Sequence, residues 1–167
     1  MRKITIKIIS LFGILLLALT SVSVQADTPK RGGTLVMTIG TTPRHLNPAV
    51  QSGIATGEPG AQLFATLVRF DDKWNAEPYL ASSWKTSADG LAVTFNLVEG
   101  ATFHDGTPIT SKDVAFSIKT IKANHPFKTM FRAVSSVETP SANTVVFKLS
   151  QPHPALMLAL SSQLGSI

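Results

Sequence analysis

Apolar and polar residues alternate along the chain with two different periods. Over residues 58–68 the apolar side chains recur at helical spacing, and Glu58-Pro59 suits the first turn of a short amphipathic helix. Over residues 82–97 the period changes to two on either side of a turn at residues 87–90, which predicts an antiparallel hairpin with one solvated face. The chain is therefore expected to combine short helices with antiparallel strands.

A second helix is predicted to begin near Thr110. Asp113 follows this hydroxyl three residues later, a spacing that can cap a helix start. The apolar residues of one face of the following turns are Val114, Ile118 and Ile121. This spacing predicts a helix with one buried face.

Three further apolar stretches predict strands or buried segments. Residues 34–40 are apolar and β-branched, which is typical of a largely buried strand. Residues 134–138 and 143–150 flank a turn at residues 139–142 and predict a second hairpin. Residues 154–160 are nearly all apolar and predict the start of a buried helix, for which the remaining residues offer little cover.

The first 26 residues have the three parts of a secretory signal peptide. Three cations lie in the first seven residues, residues 8–19 are mostly apolar, and Val24-Gln25-Ala26 offers the small or branched residues that a signal peptidase reads. The apolar run is shorter than the roughly 18–20 residues needed to span a bilayer, so we expect cleavage after Ala26 rather than a membrane anchor. Because no cysteine follows the run, we expect no lipid attachment and a periplasmic location.

Composition narrows the possible classes of protein. Of the 167 residues, 44% are hydrophobic and 15% are charged, which excludes a disordered tail. Three of the cations that give the net charge of +5 lie in the first 26 residues. The rest of the chain has 12 Lys and Arg against 10 Asp and Glu, and its basic residues are scattered among the acidic ones rather than forming a basic stripe. No nucleic-acid partner is therefore expected. The absence of cysteine excludes disulfides, a thiol nucleophile and a Cys-type zinc site.

The four histidines do not form a recognisable metal or catalytic motif. They are His45, His104, His125 and His153, and none has a second ligand at helical spacing. We expect them to be solvated loop residues. His104 and Asp105 could serve as the base and its orienting carboxylate in a hydrolase, but adjacent side chains diverge and no nucleophile is placed beside them. Asp105-Gly106 is explained more simply as a tight turn, and no cofactor is predicted.

Short motifs along the chain carry a resemblance to a known family. They are Arg31-Gly-Gly-Thr-Leu35, Leu46-Asn-Pro48, Ala81-Ser-Ser-Trp84, Asp89-Gly90, Val93-Thr-Phe-Asn-Leu97, Phe103-His-Asp-Gly-Thr-Pro108 and Lys112-Asp-Val-Ala-Phe-Ser117. Together they resemble the extracytoplasmic solute-binding proteins of family 5, which serve peptide and nickel ABC importers. The Phe-His-Asp-Gly run and the Asp-Val helix are the most specific of these motifs.

The resemblance implies an α/β fold of the periplasmic-binding-protein type, class II and peptide-binding. Members form two lobes around a ligand cleft, and this chain would supply the N-terminal part, with a mixed sheet, β-hairpins and short helices. The implied divisions are a signal peptide at 1–26, the opening strand and loop of lobe I at 27–60, a small α/β subdomain at 61–150 and a return into lobe I at 151–167. The second lobe is expected to be absent from these residues.

The resemblance also implies candidate ligand contacts. In peptide-binding members the ligand is held largely through its backbone, as an added extended strand. The segment after Leu46-Asn-Pro48 contributes to that pairing, which corresponds to Ser52, Gly53 and Ile54 here. An aromatic residue after the Asp-Val helix can face the cleft, and Phe127 is the matching residue, able to pack on a ligand but without a hydroxyl. The alternative for all four residues is loop packing without ligand contact.

The implied function is that of a substrate-binding receptor without enzymatic activity. It would capture di- or oligopeptides in the periplasm as a monomer and deliver them to an ABC permease and ATPase complex of the inner membrane. Within the same class, the alternative is a receptor for a nickel chelate or another small solute such as an opine or a sugar conjugate. From other classes, the alternatives are a secreted hydrolase and a truncated remnant without function.

Overall fold

A computed structural model describes residues 31–167, so the predicted signal peptide at 1–26 lies outside the described residues. The chain up to Met37 is a separate unit from residues 38–167, and all helices and strands given below belong to the latter unit. None of the helices within the described range combines the length and apolarity that a bilayer crossing requires.

Three α-helices and six β-strands follow one another in the described part of the chain. In chain order they are α1 (Ile54–Leu63), β1 (Val68–Phe70), β2 (Ala76–Pro78), β3 (Ala81–Thr86), β4 (Ala92–Leu97), α2 (Ser111–Asn124), β5 (Val134–Ser141), β6 (Thr144–Leu149) and α3 (Leu156–Ser161). Two 3-10 helices, Lys128–Phe131 and Gln163–Gly165, come before β5 and after α3. This mixture of strands and short helices confirms the α/β class.

The main sheet has four antiparallel strands in the order β3-β4-β6-β5, and β1 pairs with β2 in a separate two-stranded sheet. Both predicted hairpins, β3–β4 and β5–β6, are confirmed. The second hairpin has a shorter turn than predicted, because β5 continues to Ser141 and only Ala142 and Asn143 connect it to β6. Strand β5 can contain Pro140 because it lies at the edge of the sheet. Proline has no N–H, and an edge strand has a neighbour on only one side, so the hydrogen bonds of the central strands are not lost.

The hydrophobic core lies between the main sheet and the helices. Along β4 the buried residues Val93, Phe95 and Leu97 alternate with more exposed neighbours, as the period-two pattern predicts. Phe95 packs edge-to-face on Phe147 of β6, with ring centroids 5.5 Å apart. Helix α2 contacts β5 and β6, and its buried apolar residues are Val114, Ile118 and Ile121, the face predicted from the sequence.

A capping box begins α2, as predicted. The Asp113 carboxylate accepts hydrogen bonds from the Thr110 backbone N–H at 2.7 Å and from the Thr110 hydroxyl at 2.8 Å. The buried Ser111 hydroxyl donates to the Ser141 carbonyl at the end of β5. The first turn of α2 is therefore stabilised both by its own capping box and by a hydrogen bond to strand β5.

We expect the replacement Asp113→Ala to lower the free energy of unfolding by about 1 kcal/mol, because the Thr110 N–H loses its acceptor at a helix terminus. Urea denaturation followed by circular dichroism measures this loss. The matched control is Lys112→Ala on the same turn, an exposed position where a change within about 0.5 kcal/mol is expected. Equal losses in the two variants would contradict the role of the capping box.

The first helix differs from its prediction. Helix α1 spans Ile54–Leu63, so it begins and ends several residues before the predicted range of 58–68, and Pro59 lies inside it. Leu67 and Val68 are buried as expected, but Val68 begins strand β1. Their helical spacing was misleading, because a short apolar run can be buried equally well by strand pairing.

The predicted strand at residues 34–40 is absent from the structure. These residues form neither helix nor strand, and the side chains of Leu35, Val36 and Met37 are exposed. A β-branched sequence favours extended backbone, but a strand also needs a neighbour that pairs with its N–H and C=O groups. No described strand pairs with this segment.

The C-terminal segment is better covered than the sequence predicted. Helix α3 forms where expected, with Leu156, Ala159 and Leu160 buried and β1 in contact with it. Leu164 and Ile167 are also buried, and the Ile167 N–H donates to the Ala65 carbonyl at 2.8 Å. The expectation of an apolar segment without a partner is therefore wrong, because β1 and both 3-10 helices contact α3.

Candidate ligand-binding surface

The loop before α1 is held in place by its own polar side chains. The Asn47 side-chain oxygen accepts from the Ala49 N–H at 2.9 Å, and the His45 ring nitrogen Nδ1 accepts from the Asn47 N–H at 3.1 Å. From inside α1, the buried Thr56 hydroxyl donates to the His45 carbonyl at 3.3 Å. These bonds fix the backbone on both sides of the segment Gln51–Gly53.

Gly53 is required at the junction of this segment with α1. Its φ of 102° lies in the region that residues with a Cβ rarely adopt, although there is open space around it. Its carbonyl accepts from the Gly57 N–H at 2.8 Å and so begins the helix. The sharp change of direction leaves Gly53 and the neighbouring Ile54 exposed, with Ile54 64% accessible.

The backbone of the segment Gln51–Gly53 has unused hydrogen-bonding groups. Within residues 31–167, the N–H groups of these three residues and the carbonyls of Gln51 and Ser52 form no hydrogen bond. Backbone groups in this half-exposed position are normally paired, with protein, water or ligand. An extended ligand lying alongside could use them as a strand uses its neighbour.

The loop after α2 presents Phe127, which is 52% exposed. The helix ends at Asn124, and Pro126 prevents its continuation. The Phe127 N–H donates to Nδ1 of His125 at 3.0 Å, and the two rings pack with centroids 5.8 Å apart. The loop is therefore a defined turn with an aromatic ring facing outwards.

His125 corrects the expectation that all four histidines are solvated. It is fully buried, and burial lowers the pKa of its imidazole, an effect that the nearby backbone carbonyl of Gln51 partly opposes. His45 and His104 are exposed as expected. His153 is half-buried, with Nε2 2.8 Å from the Met130 carbonyl.

The Gln51 carbonyl acts on the pKa of His125, which links the segment before α1 to the loop after α2. Ser52 is half-buried, Gly53 and Ile54 are exposed, and Phe127 is exposed next to the buried His125. Sequence reasoning missed His125. The burial of His125 was predictable from the sequence, because position 125 continues the four-three-four spacing of the buried face of α2 at Val114, Ile118 and Ile121.

A cavity of about 660 Å³ lies apart from these four residues. Its lining includes His45, Tyr79, Phe103 and His104, together with Ile167. It combines apolar walls with a few polar groups, as small-molecule sites do. Within the described part of the chain, no three His, Cys, Asp or Glu residues are close enough together to hold a metal ion.

The geometry at Asp105 is that of a turn. Its carboxylate accepts from the Thr107 N–H at 2.9 Å and from the Thr107 hydroxyl at 2.7 Å, and these bonds lower its pKa. Gly106 follows with a φ of 86°. Asp105 is thus hydrogen-bonded to Thr107 and makes no hydrogen bond to His104, so the pair lacks the arrangement of a base and its orienting carboxylate.

Comparison with known proteins places the chain in a family. The family model "Bacterial extracellular solute-binding proteins, family 5 Middle" matches residues 75–167, more than half of the chain. A Brucella ovis protein that carries the name of an ABC transporter peptide-binding protein is 40% identical over 102 residues, which are 59% of this chain and 19% of that protein. The chain therefore spans about a fifth of the length of this curated relative.

Solved structures share the same architecture. NikZ from Campylobacter jejuni, in complex with Ni(L-His), has a TM-score of 0.67 and 32% identity, with 76% of this chain and 26% of that chain covered. AgaA from A. tumefaciens R10, in complex with agropinic acid, has a TM-score of 0.69 and 32% identity, with 75% and 26% covered. The expected periplasmic-binding-protein fold is confirmed, and these similarities agree with the family match. The chain belongs to the bacterial extracellular solute-binding proteins of family 5.

Proposed function

We propose that this chain is the N-terminal part of a substrate-binding receptor that captures di- or oligopeptides in the periplasm for an ABC importer. The observation that carries the proposal is that the N–H groups of Gln51–Gly53 and the carbonyls of Gln51 and Ser52 form no hydrogen bond within residues 31–167, next to the exposed side chain of Ile54. An extended peptide can bind such a backbone as an added strand, whatever its side chains are. The peptide-binding name of the Brucella ovis relative supports this substrate class.

In this proposal each predicted residue has a role of its own. Ser52 and Gly53 pair with the ligand backbone, and Ile54 and Phe127 pack on its side chains. Residues 61–150 form the small subdomain of the first lobe, residues 27–60 and 151–167 belong to that lobe, and a second lobe closes over the ligand. Closure follows because a ligand that contacts both lobes stabilises the closed state more than the open one.

The receptor acts as a monomer that is exported by its signal peptide, carries no lipid and binds no nucleic acid. It delivers the peptide to an inner-membrane permease with its ATPase, and it catalyses no reaction. A second candidate ligand is a nickel chelate or another small solute, because the 32% identical NikZ and AgaA structures hold Ni(L-His) and agropinic acid. A hydrolase using His104 and Asp105 has less support, because the Asp105 carboxylate is bonded to Thr107.

The test is an NMR titration of the ¹⁵N-labelled chain with three probes: the tripeptide Ala-Ala-Ala, Ni(L-His) and agropinic acid. We expect the tripeptide to shift the amide signals of residues 51–54 and Phe127 selectively. The affinity should be weaker than micromolar by calorimetry, since one lobe alone provides only part of the contacts. Shifts at these residues with Ni(L-His) or agropinic acid but not with the tripeptide would overturn the peptide assignment.

Two variants of Ser52 separate backbone pairing from side-chain contact. Ser52→Pro removes the backbone N–H and should abolish the shifts at residues 51–54, whereas Ser52→Ala keeps the N–H and should leave them within about twofold in affinity. An unchanged signal from Phe131, which is fully buried, verifies that both variants fold. Equal effects of the two substitutions would contradict strand-like pairing at this position.

A further inference from the structure

A groove of about 410 Å³ lies between helix α2 and strand β5, and none of its lining residues belongs to the candidate ligand-binding surface. On the helix side it is lined by Phe116, Lys119 and Lys122, which follow one another every three residues and therefore lie along one side of α2. Residues 134–137 of β5 form the other side. Phe116 is 70% exposed and Lys119 is also exposed, so both side chains are accessible to a ligand in the groove.

Strand β5 is at the edge of the main sheet, so half of its backbone groups have no strand beside them. Leu149 of β6 is opposite Val134 in the register, but its N–H donates to the Leu91 carbonyl at 2.8 Å. The Val134 carbonyl accepts instead from the ammonium group of Lys122. This carbonyl is therefore an edge group that faces the groove and is covered by a lysine, as exposed strand edges often are.

The available edge is short. Two irregularities of register, between Val134 and Ser136 and between Glu138 and Ser141, interrupt the pairing of β5, and Pro140 offers no N–H. Such features disfavour pairing along the whole strand with a second copy of the chain, which would also bring its own lysines against these. The four residues that line the groove span about 13 Å at roughly 3.3 Å per residue, so they match an added segment of about four residues.

The charge of the groove favours an acidic occupant. Its lining residues, all within the described part of the chain, include two lysines and no aspartate or glutamate. Neither Lys119 nor Lys122 forms an ion pair within residues 31–167. Unpaired cations beside a free strand edge attract carboxylates and repel basic segments, which provides selectivity between partners.

We propose that the groove between α2 and β5 binds an extended acidic segment of a partner protein, which adds to β5 as a fifth strand. In this mode of recognition the backbone bonds provide affinity and the alternate side chains provide specificity. Two acidic side chains facing α2 pair with Lys119 and Lys122, and an apolar one packs on Phe116. Lys122 exchanges the Val134 carbonyl for a carboxylate, which leaves that carbonyl free for an N–H of the segment. This inference does not depend on the proposed function.

The test is an NMR titration of the ¹⁵N-labelled chain with two capped peptides, acetyl-Val-Thr-Glu-Thr-Glu-amide and acetyl-Glu-Thr-Glu-Thr-Val-amide. In each peptide the valine and both glutamates share one face of an extended strand, and the two orders cover both directions of addition. We expect at least one of them to shift the amide signals of residues 116–122 and 134–137. Peptides with Lys in place of Glu should bind at least about tenfold more weakly. Absence of these shifts, or equal binding of the lysine peptides, would overturn the proposal.

N-methylation of the peptide separates strand addition from a purely electrostatic contact. An added strand uses the N–H groups of alternate residues, so methylation of one alternate set should abolish binding and methylation of the other should change the affinity by no more than about twofold. Equal effects of the two sets would contradict strand addition. Shifts confined to residues 51–54 and Phe127 would mean that the peptide binds as a transported ligand, which also overturns the groove as its site. The two groups of signals therefore test the groove and the proposed function separately.

Substitutions of exposed residues identify the contacts without loss of the fold. We expect Phe116→Ala and Lys119→Gln each to weaken binding of the acidic peptide about three- to tenfold. The matched control is Lys112→Gln, an exposed lysine of α2 outside the groove, for which a change within about twofold is expected. Unchanged affinity in both groove variants would overturn the proposal. A dimer in analytical ultracentrifugation that these two substitutions abolish would assign the groove to a second copy instead.

Discussion

Replacing Phe95 by alanine is expected to lower the free energy of unfolding by about 3–5 kcal/mol, a large part of the stability of a small domain. Phe95 is fully buried at the centre of β4. Its ring packs edge-to-face on Phe147 and lies 6.4 Å from the ring of Trp84. The rigid strands on either side cannot close the resulting cavity, so the full cost remains.

Urea denaturation followed by circular dichroism gives the loss directly. The control is Phe116→Ala, which removes the same side chain from a position of α2 that is 70% exposed, where we expect a change within about 0.5 kcal/mol. A loss below about 1 kcal/mol for Phe95→Ala would mean that the interior of the sheet repacks, contrary to the structure.

Gly165→Ala is expected to destabilise the C-terminal segment by about 1–3 kcal/mol or more. A Cβ at this position would lie 2.5 Å from the Leu160 carbonyl oxygen and 2.6 Å from the Leu160 Cα. These are backbone atoms of α3, so no side-chain rotation relieves the clash. The 3-10 helix Gln163–Gly165 must then move away, and Leu164 loses its buried position.

Thermal unfolding and limited proteolysis measure this effect, with early cleavage after α3 expected in the variant. Gly40→Ala is the matched control, because the space around Gly40 is open and its φ is not positive, and we expect Tm to change by no more than a degree or so there. An unchanged Tm in Gly165→Ala would show that the close approach to Leu160 is not needed for the fold.

The central part of the fold was predictable because its signals are local. The alternation of Val93, Phe95 and Leu97 defines a strand with one buried face, and Thr110 with Asp113 defines a helix start. Asp105-Gly106 likewise specifies its own turn. Each of these patterns is complete within a few residues, so no knowledge of distant contacts was required.

The errors concern residues whose environment is set by distant parts of the chain. The burial of Ile167 depends on a bond to Ala65, about a hundred residues earlier. Residues 34–40 have the composition of a strand but lack a neighbour that pairs with them in the described structure. No local pattern reports whether such a partner is present.

The candidate site was predicted through resemblance rather than through physical pattern. Ser52, Gly53, Ile54 and Phe127 remain predictions as ligand contacts, and three of them are consecutive residues without periodicity. The effect of the Gln51 carbonyl on the pKa of His125 follows from no local pattern, since 74 residues separate the pair. The burial of His125, however, followed from the spacing of the apolar face of α2 and could have been predicted.

The strand order β3-β4-β6-β5 has a consequence for the time course of biosynthesis. Each hairpin closes locally, but β4 reaches its second neighbour only through pairs such as Asn96–Thr144 and Ala92–Lys148, about 50 residues apart. At about 5–20 residues per second, a ribosome needs several seconds to supply β6 after β4. During that interval β4 can pair only with β3, so its apolar face stays uncovered and available to the factors that bind the chain as it emerges.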